Sequence, residues 1–217
     1  MTKLFLVRHA ETEANLQKIW YGSLDAPLTE RGEQQILATG QRMKDLARYH
    51  PIDAFYVSPL GRTQKTAAAI AEQIAIVPTV EDGLREFDLG DWEGRSYVEL
   101  AEHENLWGRW KVEPDFRPPN GESALSFHNR AIQIIETLVA KHAGETVLAV
   151  THGGIICNVM ALWMGEGLQD WPRWEPDNGS ITLLTKQDGE WQIEFWDDVS
   201  HFPPDAVVDE KPVYTRS

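Results

Sequence analysis

The sequence predicts an α/β fold, a three-layer sandwich whose sheet is mostly parallel and ends in an antiparallel C-terminal element. Short apolar runs typical of buried strands alternate with stretches whose apolar residues follow the helical period. Near the C-terminus, two further runs flank a short polar turn, which is typical of a hairpin. The 217 residues predict one domain, residues 1–217, with a small cap insertion over about residues 90–120.

The predicted elements follow one another in strand and helix order. The expected strands cover about residues 3–7, 54–57, 76–80 and 146–150, and the hairpin covers residues 181–185 and 191–196. The expected helices cover about residues 11–17, 29–49, 58–74 and 155–164, and a further long helix begins at residue 123. Thr29, Ser58 and Ser123 are the expected N-caps, because their side-chain oxygens can accept a free amide hydrogen. Pro59 suits the first helical position after Ser58. The tail from about Pro203 predicts irregular structure.

Composition excludes several classes of partner. The formal net charge of −14 disfavours nucleic acid, because binding a phosphate backbone requires a basic face. The single cysteine, Cys157, cannot form an internal disulfide, which favours a reducing compartment. The apolar run before Arg8 is too short for a signal peptide or a membrane span. We therefore expect a cytoplasmic protein with no nucleic-acid or membrane partner.

Basic side chains follow three of the predicted strands. Arg8 and His9 come directly after the first strand, Arg62 follows the second, and His152 follows the fourth. Ligands of open α/β sheets bind at the carboxyl ends of the strands. If these strands are parallel neighbours, the four side chains converge on one pocket suited to an oxyanion.

The residue types in this pocket fit a phosphate monoester. Arg8 and Arg62 present planar donor groups that match phosphate oxygens. Asn15 can add an amide donor, and the start of the first helix adds backbone N–H groups. His9, at the centre, suits attack on phosphorus, and His152 suits stabilisation of the transferring group.

The leaving group requires a proton, and a nearby acidic stretch offers several donors. Its candidates are Glu86, Asp88, Asp91 and Glu93, and the residues alone do not choose among them. For Glu86, a helix cap or an ion pair with Arg85 competes with a catalytic role. The tryptophans of the cap suit packing as well as substrate contact.

Several motifs together resemble the histidine phosphatase superfamily, in its phosphoglycerate mutase-like branch. They are Leu6-Val7-Arg8-His9-Ala10-Glu11-Thr12 with Asn15, Ser58-Pro59-Leu60-Gly61-Arg62-Thr63, and Thr151-His152-Gly153-Gly154. The family usually has glycine where this chain has Ala10. The resemblance implies a transient phosphohistidine on His9 and phosphoryl binding by Arg8, Arg62 and His152, assisted by Asn15. It also implies that Glu86 is the proton donor and later the base, with no metal ion or other cofactor. We further assign Gly22 to substrate binding.

The residues after Glu86 resemble those of broad-specificity and alpha-ribazole phosphatases. Trp92, Trp107 and Trp110 suggest an apolar or ring-bearing leaving group. Carboxylates outnumber cations in the cap, which disfavours a second anion site. We therefore predict a metal-independent phosphatase that hydrolyses small phosphomonoesters, as a monomer or a homodimer. A cofactor-dependent phosphoglycerate mutase is the alternative. A catalytically silent module that binds a phosphorylated partner ranks last, because every pocket residue is present.

Overall fold

A six-stranded sheet organises the chain in this computed structural model, which describes residues 1–167, 170 and 173–206. Its strands are β1 (Thr2–Arg8), β2 (Ala54–Val57), β3 (Thr79–Val80), β4 (Thr146–Thr151), β5 (Ile181–Gln187) and β6 (Glu190–Asp198). The spatial order is β3-β2-β4-β1-β5-β6. The first four are mutually parallel, whereas β5 runs antiparallel to β1 and β6 antiparallel to β5. This architecture confirms the predicted fold class and the hairpin.

Helices cover both faces of this sheet. They are α1 (Glu13–Leu16), α2 (Glu30–Ala47), α3 (Gly61–Ile74), α4 (Tyr97–Glu102), α5 (Leu106–Val112), α6 (Ala124–Lys141) and α7 (Gly153–Trp163). The predicted N-caps Thr29 and Ser123 are confirmed, since each side chain accepts an amide hydrogen from the first turn of its helix.

Two apolar cores separate the layers, because successive strand residues point to opposite faces. Phe5 and Val7 of β1 pack with α2 and α3 on one face. Leu4 and Leu6 pack on the other face with α6 and α7. The central strands are therefore buried on both sides, which explains their continuous apolar sequence.

The segment between Gly90 and Asn120 covers the α6 and α7 side of the sheet. It contains a short 3-10 turn, α4 and α5, and it buries Leu100, Leu106 and Trp110 in that core. Trp107 stacks on Trp20 with a centroid distance of 5.3 Å. The bounds of the cap and the single-domain organisation stay predictions.

Two predicted elements need correction. The third strand is shorter than expected, because Pro78 has no N–H for the ladder and Val77 is 88% exposed. Ser58 does not cap the next helix, which begins at Gly61 after Leu60. The Asp25 carboxylate accepts the Gly61 amide instead, at 2.8 Å.

The predicted irregular tail is described only at its start, where Pro204–Ala206 form a 3-10 turn. Residues 207–217 lie outside the described part of the chain.

Candidate active site

The parallel pairing of β1 and β4 brings two histidines together. Arg8 is the register partner of Thr151, and the His9 amide donates to the Thr151 carbonyl. His9 and His152 are the next residues after their strands, and their rings lie edge to face with centroids 5.2 Å apart. The predicted pocket residues Arg8, His9, Asn15, Arg62 and Glu86 all line one cavity at this sheet edge.

His9 is held in one tautomer. Its Nδ1 lies 2.8 Å from the carbonyl oxygen of Ala10, and a carbonyl can only accept, so Nδ1 carries the proton. The other nitrogen, Nε2, therefore keeps its lone pair. Burial, followed by the charges of Arg62 and Arg8, places the pKa of His9 well below its ordinary value. The ring is thus neutral and suited to nucleophilic attack.

His152 is fully buried beside His9. Its Nε2 lies 2.8 Å from the Ser58 hydroxyl. Its Nδ1 has no hydrogen-bond partner among the described residues. Burial, the charge of Arg62 and the neighbouring His9 lower the pKa of His152 as well, so the ring is neutral. When the Ser58 hydroxyl donates to Nε2, Nδ1 carries the ring proton and can donate a hydrogen bond to an oxyanion.

Arg8 is anchored by a buried acid that the sequence did not single out. Its Nη1 lies 2.7 Å from Oε1 of Glu175, and Nη1 also donates to the Pro176 carbonyl. Both side chains of the Arg8–Glu175 pair are at most one-tenth exposed. Glu175 also lines the cavity, so the pocket holds a carboxylate beside Arg8.

Arg62 is fixed by the loop that precedes α2. Its guanidinium donates to the carbonyls of Leu24 at 2.7 Å, Gly22 at 2.8 Å and Tyr21 at 3.1 Å. It also pairs with Asp25 at 3.3 Å. These contacts orient the guanidinium. No motif in the sequence predicts them.

Gly22 is a structural requirement of that loop. A Cβ at this position would lie 1.8 Å from the Phe87 carbonyl oxygen. The Gly22 amide donates to Glu93 at 2.8 Å, and its carbonyl accepts from Arg62. The contacts of Gly22 are therefore with the protein, and its assignment to substrate binding stays a prediction.

Asn15 is oriented by its side-chain oxygen. That Oδ1 accepts from the Thr12 amide at 3.1 Å and the Thr12 hydroxyl at 2.8 Å. Asn178 adds a longer contact of 3.4 Å to the same oxygen. With Oδ1 occupied, the amide nitrogen of Asn15 is the group that can donate into the pocket.

Glu86 is partly buried, and its carboxylate accepts hydrogen bonds from two backbone amides. Its Oε1 accepts from Phe87 at 2.9 Å, and its Oε2 accepts from Gly154 at 3.1 Å. Burial raises the pKa of Glu86, against the opposing effects of these amides and of Arg62. A Cβ on Gly154 would lie 2.3 Å from this carboxylate, so glycine is required for the close approach.

The structure separates Glu86 from the other acidic candidates. Asp88 accepts from the Gly90 amide, Asp91 from Asn120, and Glu93 from the Gly22 and Leu89 amides. None of these three carboxylates lines the cavity, whereas Glu86 does. The competing ion pair with Arg85 is also absent, since Arg85 pairs with Asp82 at 3.2 Å.

Aromatic side chains line the same cavity as the basic groups. Those that line the cavity are Trp20, Tyr21, Phe87, Tyr97, Trp110 and Phe127. Trp107 is not among the lining residues and packs on Trp20, and Trp92 packs near Phe116. Of the three cap tryptophans singled out in the sequence, only Trp110 therefore reaches the cavity.

The site contains a neutral, buried histidine at the carboxyl end of a parallel strand. Two arginines and a protonatable carboxyl group lie in the same cavity. This combination is typical of an enzyme site for phosphate esters. The chain matches the profile of the histidine phosphatase superfamily (branch 1) over residues 4–199, and it belongs to that family. Its phosphatase relatives support an enzyme that acts as a phosphatase.

Individual relatives include both mutase-like and phosphatase proteins. The chain is 34% identical to "Probable phosphoglycerate mutase GpmB" of Salmonella paratyphi C, over 95% of this chain and 98% of that protein. Bacillus stearothermophilus YhfR has a similar structure, with a TM-score of 0.78 and 31% identity over 93% of this chain and 99% of that one. The alpha-ribazole phosphatase from Shigella flexneri has a TM-score of 0.78 at 25% identity, over 90% of this chain and 96% of that one.

No helix within the described residues is long and apolar enough to cross a membrane.

Proposed function

We propose that this enzyme hydrolyses small phosphomonoesters without a metal ion, through a phosphohistidine intermediate on His9. The state of the His9 ring carries this proposal. Its Nδ1–H is committed to the Ala10 carbonyl, which leaves Nε2 as the nucleophilic nitrogen. Arg8 and Arg62 lie close enough to lower the pKa of His9, so the group that attacks also lies beside the charges that attract phosphate.

In the first step, Nε2 of His9 forms a bond to phosphorus as the bond to the leaving oxygen breaks. Glu86 gives its proton to that oxygen, so an alcohol leaves and Glu86 becomes a carboxylate. Desolvation of the partly buried Glu86 carboxyl group raises its pKa, which favours the protonated acid before the step. Arg8, Arg62 and the His152 N–H stabilise the charge on the three equatorial oxygens.

In the second step, water attacks phosphorus and the bond to His9 breaks. The Glu86 carboxylate takes a proton from the water, which restores its starting state. Inorganic phosphate leaves, and His9 is again neutral. Two arginines and neutral His152 supply the positive charge and donors that this mechanism requires, so the proposal includes no metal ion.

The cavity wall indicates the class of leaving group. Trp20, Trp110 and Phe127 give the cavity an aromatic surface. Among the described lining residues, Arg8 and Arg62 are the only arginines or lysines. We assign both of them to the phosphoryl group. We therefore propose an apolar or ring-bearing leaving group without a second strong anion. We place this small-molecule reaction in the cytoplasm.

A phosphoglycerate mutase is the second candidate, and the 34% identity to the probable mutase GpmB favours it. A mutase returns the phosphoryl group to its substrate and requires a second anion site for the carboxylate. Among the described residues that line the cavity, no arginine or lysine besides Arg8 and Arg62 is present to bind that carboxylate, which opposes the mutase reaction.

The deciding experiment measures phosphate release in the presence of a chelator, alongside an assay for conversion between phosphoglycerates. The panel includes p-nitrophenyl phosphate, phenyl phosphate, 3-phosphoglycerate, sugar phosphates and a nucleoside monophosphate. Chelator-resistant release that is fastest with ring-bearing esters supports the proposal. Conversion of phosphoglycerates faster than phosphate release would replace it with a mutase. Silence in both assays would indicate a binding module.

A further inference from the structure

The loop that carries Glu86 is held from outside the cavity by one side chain of α6. Arg130 donates from Nη1 to the carbonyl oxygens of Gly83 at 2.9 Å and Arg85 at 2.7 Å. Its Nη2 donates to the carbonyl of Glu86 itself at 3.2 Å. One guanidinium thus donates hydrogen bonds to three carbonyl oxygens of the loop. Without Arg130, each of these oxygens would require another donor.

A carboxylate completes this arrangement. Nη2 of Arg130 lies 2.5 Å from Oε1 of Glu122, and the same oxygen accepts from the Asp88 amide at 3.0 Å. The Glu122 amide in turn donates to the Asp88 carbonyl at 3.0 Å. Arg130 and Glu122 are each about one-fifth exposed, so water only partly competes with these bonds. The loop is therefore fixed on both sides of Glu86.

Arg130 also connects this loop to a wall of the cavity. Its guanidinium lies over the ring of Phe127, 4.9 Å from the centroid, and Phe127 lines the cavity. Both residues lie on α6, an 18-residue helix whose packing gives the guanidinium a rigid base. The interior partners of Glu86 are backbone amides of Phe87 and Gly154, so an accurate loop position is needed to keep both bonds.

We propose that Arg130 is a positioning residue for catalysis, which sets the location of the Glu86 carboxyl group relative to the leaving oxygen. Arg130 is not among the residues that line the cavity of Arg8 and His9, and it acts through the backbone of residues 83–86. This inference rests on the proposed role of Glu86 as general acid. Small displacements of a catalytic group are costly, and general acid catalysis is needed most when the leaving group is a poor one.

The test compares phenyl phosphate, whose leaving group requires a proton, with p-nitrophenyl phosphate, whose leaving group departs readily without one. The quantity is kcat/KM, because it reports the step in which the leaving group departs. Arg130→Met keeps the aliphatic stem and removes the donors. We expect a loss of about 10- to 100-fold with phenyl phosphate and less than about threefold with p-nitrophenyl phosphate. Arg130→Lys should show the same selective loss at a smaller size.

Two comparison variants make the result specific. Glu86→Gln should show a selective loss at least as large, because it removes the proton itself. Arg42→Met removes another partly buried arginine, which lies on α2, on the other face of the sheet from α6, and pairs with Asp198. This variant should leave kcat/KM unchanged for both substrates. If Arg130→Met does not fold, Arg130→Lys decides the question.

If a folded Arg130 variant lost activity equally on both substrates, or lost none, the positioning role would be overturned. A selective loss in Glu86→Gln would still leave the proposed function intact. If Glu86→Gln also lacked selectivity, the general-acid assignment itself would fail, and the role of Arg130 with it. Selective losses in both variants support both proposals.

Discussion

The imidazole rings of His9 and His152 lie edge to face, with centroids 5.2 Å apart, at the ends of two adjacent parallel strands. Each ring has one nitrogen engaged by the protein, by the Ala10 carbonyl for His9 and by the Ser58 hydroxyl for His152. Burial and the nearby arginines keep both rings neutral. One ring can therefore attack phosphorus while the other donates a hydrogen bond.

Replacement of His9 should abolish turnover and leave the fold intact. His9→Ala removes the nucleophile, and we expect phosphate release to fall by at least about 10⁴-fold. Because a neutral buried ring makes few structural bonds here, circular dichroism and thermal unfolding should match the parent enzyme. His103→Ala, at an exposed position of the cap, is the matched control and should retain full activity. Appreciable turnover by folded His9→Ala would exclude His9 as the nucleophile.

The pH profile of kcat/KM should report Glu86 on its alkaline side. A general acid must carry its proton, so activity is present below the pKa of Glu86 and is lost as pH rises through it. Burial raises that pKa, which moves the loss towards neutral pH. With phenyl phosphate as substrate, Glu86→Gln should remove this alkaline limb, whereas Asp88→Asn should retain it. An unchanged limb in Glu86→Gln would assign it to another group.

The acid side of the same profile concerns His9. Its pKa lies well below the ordinary value of 6.5, so the ring should stay neutral, and active, at pH values where an exposed histidine is charged.

Loss of Glu175 should destabilise the protein more than loss of an exposed acid. Glu175→Ala leaves Arg8 buried without its 2.7 Å partner, and we expect the free energy of unfolding to fall by about 3–5 kcal/mol. Asp45→Ala breaks an exposed pair with Arg48 and should change it by less than about 1 kcal/mol. Urea denaturation in phosphate-free buffer measures both. Equal effects would mean that Arg8 finds other compensation.

A methyl group at Gly22 should disturb the site through Arg62. The added Cβ would lie 1.8 Å from the Phe87 carbonyl, so the loop that binds the Arg62 guanidinium must move. We expect kcat/KM to fall on the order of 100-fold in Gly22→Ala. Ser23→Ala changes the exposed neighbouring side chain and should have little effect. Wild-type kinetics in Gly22→Ala would show that Arg62 does not depend on this loop.

Local patterns in the sequence were sufficient for much of the fold. The apolar runs of β1 and β4 and the turn of the β5–β6 hairpin are set by residues close together in the chain, and each was predicted. The start of α3 was not, because its first amide binds Asp25, a residue 36 positions earlier. Only the folded chain brings that carboxylate to the helix.

The residues of the candidate site likewise fall into those that the sequence predicts and those that only the structure reveals. Arg8 ends its strand, and His9, Arg62 and His152 follow strands. Their convergence could be inferred from strand order. Glu175 and Arg130 have no motif, since their roles come from long-range contacts with Arg8 and with the Glu86 loop. The residues alone left Glu86 and Asp88 open, and the family resemblance pointed to Glu86. The structure adds that Glu86 lines the cavity and Asp88 does not.

The most direct test of the central claim is to trap the phosphoenzyme. Rapid quenching during turnover of p-nitrophenyl phosphate, under alkaline conditions that preserve phosphoramidates, should yield phosphate attached to His9. Phosphorus NMR of the denatured intermediate should place that phosphate on Nε2, because Nδ1 is committed to the Ala10 carbonyl. His9→Ala should give no labelled protein. Phosphate on another residue during turnover, or on Nδ1 of His9, would contradict the account.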